Sequence, residues 1–372
     1  MNDIFQISAV AIIAFASPII SERIGAPAVI VEIMAGFILA YFLADLIRSE
    51  WFHFFSSIGL IFLMFLSGLE IDFSLLFKKI RQYWKVPLYV FLSLILSFVF
   101  VKVFNMATIY GVFLANVSLG IVMPVMREMN LVSTDFGQKI LFATFLTDLI
   151  TISLLSGLAI GYRVSGSYLE LLLPVALVPL FVFAYHLGRY LIWHFPDFMA
   201  RFFDDPMELG VRGSFAIMIL FSGLAFILGS EAILGAFLAG SLVSLTFRGA
   251  GKLEESLMGI GYGIFIPFFF IKTGADMYFS ISELTLTMPL VLLLAGFAVK
   301  ILPSAVFVRD IGVRASLAFG TIQSSKLGLT LAGAEIAREL GIITSGEAAG
   351  IALWTILSAF IFPVMFRKVV RD

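Results

Sequence analysis

The sequence predicts an all-α membrane protein of about 13 transmembrane helices, and three observations predict it. Of its 372 residues, 61% are hydrophobic and only 13% charged, with mean hydropathy +1.07. That leaves too little polar surface to cover a soluble protein of this length. Turn residues and charges cut the chain into 13 apolar stretches, and a spanning helix needs roughly 20 mostly apolar residues. Finally, Lys and Arg crowd into alternate connections.

The stretches fall at roughly 4–21, 27–44, 54–70, 86–104, 107–126, 139–160 and 169–188, then at roughly 213–228, 231–247, 258–275, 287–308, 315–337 and 348–366. The opening Met-Asn-Asp-Ile-Phe lacks the basic start of a cleaved signal, so the first stretch is expected to be a permanent helix. With the N-terminus outside and the C-terminus in the cytoplasm, 17 of the 24 Lys and Arg lie inside. These include Arg23, Lys78, Lys79, Arg81, Lys85, Arg201, Arg248 and the tail residues Arg367, Lys368 and Arg371. Four lie outside (Arg48, Lys102, Arg163, Arg338) and three within spans (Lys272, Lys300, Lys326). A missed or extra helix would scramble this asymmetry.

Several function classes are excluded. A net charge of −1 leaves no basic footprint for nucleic acid. The absence of cysteine removes thiolate metal sites and thiol nucleophiles. His53, His186 and His194 are scattered and close no metal motif. An intramembrane enzyme would need paired aspartates or HExxH within its spans, and only one well-buried carboxylate stands mid-span. No cofactor is expected.

Two pairs of segments echo each other. Met34-Ala35-Gly36-Phe37-Ile38-Leu39 resembles Leu238-Ala239-Gly240-Ser241-Leu242-Val243, and Ser67-Gly68-Leu69-Glu70 resembles Thr273-Gly274-Ala275-Asp276. The offsets are 204 and 206 residues. We therefore expect one transmembrane domain over 1–372, with repeat one at 1–162, a linker helix within 163–212, and an oppositely oriented repeat two at 213–372. Inverted repeats are a common architecture of secondary transporters, with the site where they meet.

A charge inside a span costs roughly 2.5–3.5 kcal/mol on insertion scales, so each one needs a reason. Asp148 lies near the middle of the sixth span, in FATFLTDLITI. Thr144 and Thr151 share its helical face, and Thr147 adjoins it. A lone carboxylate among hydroxyls suits a partly dehydrated Na+ or K+, and it can hold a proton instead. The fifth span, with Asn116, Ser118, Gly120 and Pro124, and the twelfth, with Gln323, Ser324 and Lys326, are polar in mid-span. We expect both to be interrupted helices that cross near Asp148. Lys300, halfway along the eleventh span, calls for a counter-charge such as Asp148. Lys272 sits near a span end and can snorkel or pair with Asp276. Glu32 and Glu70 suit a packing or capping role as well as a path.

Together these segments resemble the monovalent cation:proton antiporter superfamily, in the branch of sodium/proton antiporters and Kef-type potassium efflux systems. The matching pieces are Ala28–Ala40, Ile61–Phe73, the segment from Asn116, Thr147-Asp148, Gly235–Ser244 and Ile266–Met277, in the family's order. The resemblance implies an elevator-type antiporter, homodimeric in the lipid bilayer of the cell membrane, that exchanges Na+ or K+ for H+. It also implies that Asp148 binds the ion, with Lys300 beside it. The expected cation site is Asp148, Thr147, Thr151, Asn116, Ser118, Gln323 and Ser324. Many members carry two acidic residues where this chain has Thr147-Asp148, and an uncharged residue there goes with electroneutral members. Members often have Gly-Glu where this chain has Ser325-Lys326. We expect no nucleotide-binding regulatory domain. The alternative is a channel or a transport-dead sensor on the same scaffold.

Overall fold

Helix occupies every one of the 13 apolar stretches in a computed structural model that describes residues 3–24, 28–47, 49–69, 83–132, 134–163, 177–194, 208–228, 232–246, 251–279, 282 and 285–371. Among the described residues, the helices longer than the single turn Ala44–Ile47 are, in chain order, α1 (Asp3–Ile24), α2 (Ala28–Phe42), α3 (Glu50–Leu69), α4 (Lys85–Val103), α5 (Ile109–Ala115), α6 (Leu119–Glu128), α7 (Asp135–Arg163) and α8 (Leu177–His194). There follow α9 (Leu209–Ile227), α10 (Ala232–Thr246), α11 (Gly251–Ile260), a π-helical turn (Gly261–Phe265), α12 (Ile266–Phe279), α13 (Thr287–Ser304), α14 (Val308–Ile322), α15 (Gly328–Glu339) and α16 (Ser345–Arg371). Among the described residues there is no strand. Among the described residues, seven helical runs are long and apolar enough to cross a membrane, and α2, α10 and the run Ile109–Met123 are shorter and apolar. Glu70, Arg48, Lys78, Lys79, Arg81, Arg201 and Arg248 lie outside the described residues.

The eleventh span ends earlier than its apolar run, at Ser304 rather than 308. A 3-10 turn (Ala305–Phe307) follows Pro303, and Gly312 stands at φ +80, a left-handed value that glycine adopts without steric cost. The chain thereby tightens after α13 and is kinked again at Gly312 inside α14.

By internal contacts the chain forms two units. The first is Met1–Ile19, Glu32–Phe73 and Ala159–Gly274; the second is Ile20–Val31, Ser74–Leu158 and Ala275–Asp372. In the first unit, α2 crosses α12 and α3 crosses α10 with backbone against backbone. A Cβ on Gly36 would overlap the carbonyl oxygen of Ile271, and one on Gly274 that of Ile33. At the other crossing, Gly68 lies against the Phe237 carbonyl and Gly240 against that of Phe65. The offsets of 204 and 206 residues seen in the sequence also relate these contact partners, Ile33 to Phe237 and Phe65 to Ile271. Small residues are what let membrane helices approach this closely.

Gly240→Ala is accordingly expected to lower the melting temperature of the purified protein, since overpacking costs about 1–3 kcal/mol. Gly223→Ala, where a Cβ would meet nothing within 4 Å, is expected not to. Equal melting temperatures for the two variants would show that the crossing tolerates a methyl group.

In the second unit, polar ties anchor the helix ends. Lys85 pairs with Asp310 at 2.7 Å, and Lys139 with Asp135 at 2.7 Å. The Tyr83 hydroxyl donates to Asp135 Oδ1 at 2.6 Å. Burial and the neighbouring carboxylate push its pKa up to about 12, so it stays a donor at physiological pH. Arg314 Nε donates to the Val369 carbonyl at 2.8 Å, holding α14 to α16. These ties join the elements that carry the polar mid-span residues.

Candidate functional site

The fifth and twelfth spans are both interrupted in mid-span. α5 stops at Asn116, whose φ −58 and ψ 161 are extended, and α6 starts at Leu119. Asn and Ser favour such a break because their side chains compete for backbone groups. α14 stops at Ile322, and α15 starts at Gly328 after Gln323-Ser324-Ser325-Lys326-Leu327. The two breaks meet: the Ser118 N–H donates to the Ser325 carbonyl at 3.0 Å. Buried backbone at a break needs such a partner, and here each break supplies one for the other.

Side chains complete the junction. Asn116 Oδ1 accepts from Thr151 Oγ1 on α7 at 3.1 Å, while its Nδ2 donates to Thr330 Oγ1 on α15 at 3.0 Å. One amide therefore ties three helices together. Gln323 Nε2 donates to Thr144 Oγ1 at 2.8 Å and to the Ile140 carbonyl at 2.9 Å. Its Oε1 is buried with no hydrogen-bond partner among the described residues. Thr144 is one helical turn before Asp148, so Gln323 is tied to the face of α7 that carries Asp148.

Asp148 is half-buried on α7. It acts electrostatically on both Lys300 and Lys326, which are completely buried. The two amines hold the end of α5: Lys300 Nζ donates to the Ala115 carbonyl, and Lys326 Nζ to the carbonyls of Leu114 (3.0 Å) and Asn116. A helix C-terminus leaves such carbonyls unsatisfied, and a buried amine is a strong partner for them.

The structure thus brings together Asp148, Lys300, Asn116, Thr151, Gln323 and Ser118 in the second unit. The Thr147 and Ser324 hydroxyls donate to the Ala143 and Gly320 carbonyls four residues earlier, at 2.7 and 2.8 Å, and the Thr151 hydroxyl also donates to the Thr147 carbonyl at 2.8 Å. Sequence reasoning did not single out Thr330 or Ser358, whose hydroxyl accepts from the Lys326 N–H at 3.1 Å. A hydroxyl in an apolar helix so often bonds its own backbone that neither stood out.

A family model, sodium/hydrogen exchanger, transmembrane, matches residues 10–371. The chain belongs to that family. This exchanger-family chain is thus a multi-pass membrane transporter rather than an enzyme, within the monovalent cation:proton antiporter superfamily. It is 31% identical to the putative Na+/H+ antiporter YjbQ of Bacillus subtilis (strain 168), over 97% of the chain and 62% of that protein. The chain therefore spans less than two thirds of YjbQ's length. It is 28% identical to the Na+/H+ antiporter of Enterococcus hirae, covering 94% of the chain and 93% of that relative. Among solved structures, the sodium proton antiporter MjNhaP1 of Methanocaldococcus jannaschii at pH 8 has the same fold. The TM-score is 0.63 at 16% identity, over 98% of this chain and 99% of that one.

Proposed function

We propose that this protein exchanges a monovalent cation, Na+ or K+, for H+ across the cell membrane, with Asp148 holding the cation and the proton in turn. The observation that carries this is the half-buried Asp148 beside a junction of two interrupted helices, where Gln323 Oε1 is a buried acceptor with no donor among the described residues. A charge held inside a span is the usual mark of an ion path. Relatives named as Na+/H+ antiporters support the reading. Proton flux in proteoliposomes on adding Na+, K+ or choline in turn is the test. Flux with Na+ or K+ but not with choline is expected, and an equal response to all three would remove the exchange reading.

The same geometry supports the roles proposed for the site residues. Asp148 and Gln323 are the cation ligands, Asn116 and Thr151 orient the junction, and Lys300 balances Asp148. In this reading the chain crosses the bilayer 13 times, N-terminus outside, in two inverted repeats. The glycine contacts at matching offsets support that symmetry. It works as a homodimer by elevator-type alternating access.

Exchange is expected to be electroneutral, because one carboxylate holds either one cation or one proton and Thr147 stands where a second acid would add another. The check is a membrane potential imposed on proteoliposomes with equal cation and pH on both sides. An extra charge per cycle would be driven by about 2.3 kcal/mol per 100 mV. Cation-dependent proton movement that follows the sign of the potential would refute one-for-one exchange.

A further inference from the structure

Where α5 ends, the successive carbonyls of Leu114, Ala115 and Asn116 point away from any continuing helix, and two lysines take them. Lys300 serves Ala115; Lys326 serves Leu114 and Asn116. Lys326 is built in from both ends. Its N–H is held by Ser358 Oγ, and its amine lies 5.9 Å from the centre of the Trp354 ring, with no part of the residue exposed. The carbonyl end of an interrupted helix is also what a dehydrated monovalent cation takes as ligands. In this chain those ligands are already occupied.

We propose that Lys326 is a specificity-determining residue whose amine occupies the Leu114 and Asn116 carbonyls, keeps the transported cation out of them and confines it to the Asp148 side of the junction. This rests on Asp148 being the cation's carboxylate. Taking the amine away leaves two buried acceptors without donors, which is costly. It also opens a second site for Na+ or K+ at the end of α5.

The test uses the purified full chain, with NaCl or KCl compared against choline chloride at constant ionic strength, and the melting temperature as readout. A ligand that binds only the folded state raises that temperature. Asp148→Asn is expected to lose the Na+- or K+-dependent rise; a rise kept in that variant overturns the reading of Asp148. Adding Lys326→Met to Asp148→Asn is expected to restore a rise of a few degrees, and adding Lys326→Arg, which keeps donors on the carbonyls, is expected not to. No gain from Lys326→Met over Asp148→Asn alone, or an equal gain from Lys326→Arg, overturns the role of Lys326. Should the Lys326→Met double variant fail to fold, Lys326→Gln is measured in proteoliposomes. Its half-saturating cation concentration is expected to shift by about threefold or more, with Lys326→Arg returning it to the wild-type value. An unchanged half-saturation in Lys326→Gln overturns the proposal.

Discussion

Asp148→Asn is expected to reduce cation-driven proton flux to the level of liposomes without protein, while the variant still inserts and elutes as a folded species. Asn keeps the shape of the side chain and its place on α7, so the bonds that the Thr147 and Thr151 hydroxyls donate to backbone carbonyls need not change. What disappears is the charge that lets one side chain hold a cation and a proton by turns. Asn116, Thr151 and Gln323 supply only neutral oxygens, and none of them can hold a cation and a proton by turns. Flux in proteoliposomes and elution on gel filtration are the two measurements. Wild-type flux in a folded Asn variant would sink the assignment.

Lys300→Ala is expected to have the largest effect on stability of any single change at the junction. The residue is fully buried on α13, and its amine donates to the Ala115 carbonyl while acting on Asp148. Truncation therefore removes a donor from a buried carbonyl and a counter-charge from a half-buried carboxylate at once. Removing one partner of a buried charge pair costs roughly 3–5 kcal/mol, because the other is left uncompensated. Asp148 is only half-buried, so about 3 kcal/mol is the reasonable figure. Lys300→Met, which keeps most of the apolar stem, separates the two causes. Thermal unfolding is expected to show Met nearly as destabilised as Ala, since the amine is what both lack. A Met variant that melts with the wild type would place the stabilisation in packing instead.

The membrane made part of the site legible in advance. Asp148 and Lys300 stood out because a charge in an apolar span is costly whatever surrounds it. The breaks at Asn116–Ser118 and Gln323–Leu327 were legible because Asn, Ser and Gln cluster there in place of Leu and Phe. Lys326 was visible as a charge, but its role was not. Its position gave no hint that its amine would reach Leu114 and Asn116, 212 and 210 residues earlier.

The glycine fragments show the same division. Gly36, Gly68, Gly240 and Gly274 were recognisable as two related pairs, since spacing survives in the primary sequence. Which pair would touch which was not: Gly36 meets the helix of Gly274, and Gly68 meets that of Gly240. Composition was enough to read an all-helical membrane protein and the costly charges in its apolar helices, because desolvation acts on each segment locally. The partners of those residues came only with tertiary structure. A hydrogen bond between Asn116 and Thr330 spans 214 residues, and nothing in the local sequence of either encodes the direction in which the other will lie.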